Sequence, residues 1–129
     1  MRTIWKLTIP ITDSQQIKVE GATVVGILSA DLSSTKRFPI GSQVPVSMID
    51  IWMIVETHPD SFEYVPIEIR GTGHPLHEER IRGCVQLIEG TRDHTHENVY
   101  MAMESHIATI RDGGLVWHVF RGAFPPVAQ

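Results

Sequence analysis

Apolar and polar residues alternate one for one along several short stretches of this chain, and a period of two commits those stretches to half-buried strands. Trp5, Leu7 and Ile9 alternate with Lys6 and Thr8, and Pro10, which cannot donate to a ladder, closes the run. Asp13-Ser14 supplies turn chemistry, after which Ile17 and Val19 alternate with Lys18 and Glu20. Gly21 breaks the pattern before a continuous apolar run, Ala22 to Leu28, which predicts a strand covered on both faces. Ser33 to Pro45, with two prolines, Gly41 and many hydroxyls, reads as a surface loop. Ile49 to Val55 is a second apolar strand containing Trp52, and His58-Pro59-Asp60 predicts a turn. Val65, Ile67 and Ile69 alternate around Pro66, which marks an edge strand or an open side. Ile81, Val85 and Leu87, then Leu115, Trp117 and Val119, complete the set, with Gly83 as a bulge point. About seven short strands predict a mainly β fold, a small antiparallel sandwich or barrel. Trp5, Trp52 and Trp117 all lie in strands and are expected to anchor one core.

One segment follows another period. Between Glu97 and Arg111, Val99, Met103, Ile107 and Ile110 recur at spacings of four, four and three, which predicts a helix stopped by Asp112-Gly113-Gly114. Val99-Tyr100-Met101 and the β-branched Thr109 and Ile110 fit a strand equally.

The whole chain, residues 1–129, reads as a single domain. A net charge of −4, with no basic cluster longer than Lys36-Arg37, argues against a nucleic-acid polymer as partner. One cysteine, Cys84, cannot make an internal disulfide, and no base is identifiable to activate it. The start of the chain reads as a strand rather than a signal peptide, and no apolar run reaches the ~18–20 residues a bilayer requires. No membrane association is therefore expected.

Two histidines sit where the sequence fixes their setting. His74 lies in Gly71-Thr72-Gly73-His74-Pro75, where paired glycines either make a tight turn or let backbone amides approach an anion. His118 lies in Leu115-Val116-Trp117-His118-Val119-Phe120, out of phase with the apolar face, and is expected to satisfy itself on a backbone carbonyl or on His74. If the two met at a groove they would bind a phosphate, or act on one as acid and base without metal. Arg70 and Arg82 are added as anion ligands, so the candidate ligand-binding set is Arg70, Gly71, Thr72, Gly73, His74, Arg82 and His118. His94-Thr95-His96 is the best metal-like string, with Asp93, Glu97 and His106 as further donors, but a solvated loop is the preferred reading. No cofactor is expected. Ser105-His106 lacks an acidic third member and does not make a catalytic dyad. The end of the chain, with Phe124-Pro125-Pro126-Val127, is apolar enough to predict packing on a second copy.

Three blocks carry a resemblance: Thr3-Ile4-Trp5-Lys6 with Pro10-Ile11-Thr12-Asp13; Ile69 to Leu76, spanning the Gly71–Pro75 turn; and Gly113 to Phe120. In these the chain resembles a family of small, mostly uncharacterised proteins encoded by tailed bacteriophages. Ile81-Arg82-Gly83-Cys84-Val85-Gln86 looks like that family's penultimate strand. The resemblance implies a phage origin and a compact β fold, and brings no reaction. Against that pattern this chain inserts about residues 89–112 before its last strand, and its Ser33–Val46 loop looks long. From this context the preferred expectation is a non-catalytic, homo-oligomeric binding module. In the host cytoplasm during infection it would sequester a small anionic, nucleotide-type host-defence signal. A virion component, as a capsid decoration or minor head protein, and a small phosphodiester hydrolase using His74 and His118 are the alternatives.

Overall fold

A computed structural model describes residues 1–74 and 105–122. They form five antiparallel strands: β1 (Arg2–Pro10), β2 (Ser14–Leu32), β3 (Met48–Gly71), β4 (His106–Asp112) and β5 (Leu115–Arg121). β3 is the spine. β2 lies along one edge from Ile49 to Glu68, while the other edge takes β1 at Met48–Glu56 and β5 at Ile67–Gly71. β4 then pairs with β5. The sheet curls into a half-barrel, and β2 and β4 approach each other across its hollow.

Alternation decides what fills that hollow. Ile49, Ile51, Met53 and Val55, then Val65, Ile67 and Ile69, turn inward from β3 and are buried. Ile9, Val19, Ala22, Ile110 and Val119 meet them, with Trp5 and Trp117 packed against the cluster. The mainly β architecture thus follows from the alternation, but its units are longer than expected. Val65–Ile69 and Ile49–Val55 belong to one strand, and so do Ile17–Glu20 and Ala22–Leu28. The turn expected at His58-Pro59-Asp60 is instead an exposed irregularity where β3 gains residues against β2, between the Glu20–Phe62 and Ala22–Thr57 pairs. Gly21, at φ +82°, lets β2 absorb its side of that shift.

Three further expectations need correction, and of the two readings of Pro66 only the edge strand fails. Ala22–Leu28 is not covered on both faces: β2 bulges between Val24 and Gly26 and between Ile27 and Ser29, and Val25 and Leu28 point to solvent. Trp52 alternates with buried Ile51 and Met53, so it lies on the outer face opposite Lys6 and Ser29 rather than in the core. Pro66 sits in the central strand, and tolerates it because its carbonyl and nitrogen face the end of the β5 ladder, where Gly122 N donates to Pro66 O at 2.8 Å.

The helix expected up to Arg111 is a strand over His106–Asp112. A bulge between His106 and Ala108 turns Ile107 to the core side with Ile110, so a spacing of three arises without a helical turn. Asp112-Gly113-Gly114 is the tight turn into β5, with Gly113 at φ +60° and Asp112 paired to Leu115. The segments 97–104 and 81–87, Cys84 and the tail from residue 123 lie outside the described residues. The loop between β2 and β3 is exposed as expected, and is pinned by a bridge between Arg37 and Val46.

Candidate functional site

The outward faces of β3, β5 and β4 line up in rows. Glu68 faces Phe120, which faces His106; Arg70 faces His118, which faces Thr109. The β4 bulge matters here, because regular alternation would send His106 and Thr109 to opposite faces. With the extra residue both project on the His118 side, and His106 Nε2 comes within 2.9 Å of Thr109 Oγ1.

His118 is half-buried and holds a hydroxyl at each ring nitrogen. Nδ1 is 3.1 Å from Thr109 Oγ1 and Nε2 is 2.9 Å from Thr72 Oγ1. Thr72 is presented by the turn after β3, where Gly73 takes φ +90° and Thr72 N donates to Val116 O at 3.3 Å. The result is a continuous chain, His106–Thr109–His118–Thr72, open to solvent at both threonines. His106 also lies edge-on to Phe120, with ring centroids 5.4 Å apart, and its ring is 6.4 Å from that of His118.

His74 is placed elsewhere. Its Nδ1 accepts from Gly71 N at 3.2 Å and its ring sits 6.3 Å from Trp117. His118 therefore finds its partners in two threonine hydroxyls, not in His74 or a carbonyl, because Trp117 and His118 leave β5 on opposite faces. A Cβ at Gly71 would stand 2.9 Å from His74 Cε1, so a side chain there must displace that ring.

Arg70 lines this face without being free for a ligand. Buried, it pairs with Glu68 at 3.6 Å, and its Nη1 donates to the carbonyls of Asp13 and Ile69. It ties the β1–β2 turn to the end of β3. Glu68 keeps one oxygen, Oε2, buried with no hydrogen-bond partner among the described residues, as does Trp117 Nε1. Arg82 and the pair His94 and His96 lie outside the described residues. Among the described residues no group of three His, Cys, Asp or Glu side chains is arranged to hold a metal.

A family model described as a domain of unknown function, DUF7352, matches residues 1–128. The chain belongs to the DUF7352 family. No curated protein and no solved structure matches it. In this DUF7352 member the residues that sequence reasoning had singled out, Thr72 and His118, do meet. Thr109 was missed and His106 was weighed only as a metal ligand or dyad partner. No periodicity reveals a bulge, and it is the bulge that carries these two onto the site face.

Proposed function

We propose that this DUF7352 protein is a non-catalytic binding module that holds a small anionic, nucleotide-type ligand at the Thr72–His118–Thr109 face. Its place would be in the host cytoplasm during phage infection, as a homo-oligomer that sequesters a host-defence signal. The observation that carries the reading is the half-buried imidazole flanked by two exposed hydroxyls, with the neighbouring carboxylate, Glu68, ion-paired with Arg70. Such a face offers hydrogen bonds to an anion and puts no free negative charge against it among the described residues.

The same geometry speaks against catalysis. A histidine acting as general base is steadied by a group that stabilises the imidazolium, typically a carboxylate. Here the group at Nδ1 is a hydroxyl. The hydrolase alternative also required His74 and His118 to face one ligand, and their side chains engage different partners on different faces.

The test is native mass spectrometry of the full chain recovered from infected-cell lysate, followed by heat release of whatever it carries. An intact small anion, lost in His118→Ala, is the expected result. Recovery of a cleaved product would instead establish the hydrolase. One observation favours the virion alternative: Phe38, Ile40 and Val44 stand exposed on the anchored β2–β3 loop, as lattice contacts would require. Presence of the protein in washed virions would decide for it.

A further inference from the structure

We infer that Thr72, His118 and Thr109 form a proton-gated clamp for a phosphate-type oxyanion, which takes up one proton on His118 as the anion binds. This rests on reading the face as an anion site and adds how that site is switched.

The argument is a count of protons and lone pairs. A threonine hydroxyl has one proton to give and two lone pairs; a neutral imidazole has one N–H and one bare nitrogen. Because both His118 nitrogens hold a hydroxyl, the bare one must receive a proton from Thr72 or Thr109. At most one of the two hydroxyls is then left to donate outward. Once His118 is protonated, both nitrogens donate and both threonines accept. Both O–H groups are released to point at a ligand, on either side of a new positive charge. Thr109 has a second lone pair for His106 Nε2–H, at 2.9 Å, so His106 can help aim that hydroxyl without being charged. Protonation thus changes charge and donor count together, and both changes favour an oxyanion.

The groups around His118 come from three strands and the turn after β3. Facing His118 from β3 is Arg70, and Glu68 in the next row is taken up by it. β4 contributes His106 and, opposite Val116, Arg111. In β5 the flanking positions on this face are Val116 and Phe120, both uncharged. The turn contributes His74, bonded to Gly71 N, and at the hairpin end Asp112 accepts from Ser47 at 2.5 Å. Among the described residues, then, no carboxylate lies within ion-pair distance of His118, whose two nitrogens meet only threonine hydroxyls. An arriving anion supplies the missing charge.

Sulfate is the probe, since its own charge stays fixed over the range tested. Titration calorimetry of the full chain, in buffers of differing ionisation heat, should show one proton absorbed per sulfate near neutral pH. The apparent Kd should weaken about tenfold for each pH unit over which binding carries the uptake of one proton. His118→Gln, which keeps a donor and an acceptor but cannot charge, should bind weakly and independently of pH. His106→Gln should retain the pH dependence. Ring nitrogen shifts of wild-type His118, moving to the doubly protonated position on adding sulfate, give the same answer without a variant. Sulfate binding with no proton uptake, or a pH dependence surviving in His118→Gln, overturns the gate but spares the anion site. No sulfate binding at about pH 6 or about pH 8 removes both.

Discussion

Glu68 and Arg70 leave β3 on the same face, pair at 3.6 Å, and are both buried. A buried pair is worth little against a well-packed apolar substitute, but breaking one leaves a charge stranded. Arg70→Met should therefore cost about 3–5 kcal/mol, since it strands Glu68 and cuts the ties to Asp13 and Ile69. Arg70→Met with Glu68→Leu should recover much of that loss. Denaturant unfolding of the three proteins checks this, and a double variant no better than the single would show that the guanidinium bonds, not the ion pair, hold the turn.

The Gly71 position tests whether His74 belongs to the turn or to the ligand. A Cβ placed there meets the His74 ring at 2.9 Å, and the ring is the mobile end of a flexible side chain. Gly71→Ala should push it off Trp117 and break the bond from Gly71 N, at a cost of about 1 kcal/mol. Nuclear magnetic resonance of the Trp117 indole should report the displacement. Sulfate affinity should hold within about twofold, because Thr72 and His118 keep their contact.

Why the sequence yielded some of this and not the rest is a matter of range. The inward faces of β1, β3 and β5 follow from neighbours two apart, a local signal, and every buried residue of β3 from Ile49 to Val55 obeys it apart from Asp50. Asp50 is buried on the other face, where Thr8 Oγ1 donates to it at 2.6 Å across strands. What misled was irregularity. Two bulges in β2, an insertion in β3 opposite Gly21 and one bulge in β4 change the phase in mid-strand, so Val25 and Leu28 were assigned a wrong environment and Ile107 a wrong element. The site shares that fate. His118 and Thr72 are conspicuous locally, whereas Thr109 and His106 join them only through pairing between separate strands.

Two glycines in β2 separate conformational need from space. Gly21 holds φ +82° with only an ordinary 3.9 Å contact to Trp5 awaiting a Cβ, so Gly21→Ala should lose about 1–2 kcal/mol through backbone strain alone. Gly26 has ordinary φ and nothing within 4 Å. Gly26→Ala should be neutral or stabilise by up to about 1 kcal/mol, because the unfolded chain loses freedom. Paired thermal melts decide it. Equal losses would place the demand in the bulges rather than in the dihedral.

At the start of the chain the terminal ammonium and Arg2 both bind Glu56, at 3.1 and 3.0 Å, and hold its carboxyl below the usual carboxylate range. A carboxyl depressed in the folded state stabilises at pH above its unfolded value, ordinarily about 4.3, and that contribution fades as acid titrates the folded group. Stability should thus fall below about pH 4 more steeply in wild type than in Glu56→Gln. Salt should shrink the difference, since these groups are exposed. An identical acid limb in both proteins would locate acid sensitivity elsewhere.

The β2–β3 loop carries its apolar side chains outward by design of its backbone. Arg37 N and Val46 N each donate to the other's carbonyl, at 3.1 and 2.6 Å, and Ser42 N closes a turn on Pro39 O at 3.0 Å. A loop fixed in this way keeps Phe38, Ile40 and Val44 on its surface, Ile40 fully so. Apolar groups held rigid in water favour a protein contact, because little further ordering is lost when they are covered. Replacing all three by Ser should leave unfolding within about 0.5 kcal/mol per site, as exposed positions do. In sedimentation the wild-type chain should self-associate at concentrations where the triple variant stays a single unit. If both sediment alike as assemblies, the copies meet through another surface, and the outward Ile4, Val25 and Leu28 on the curled sheet become the next positions to change.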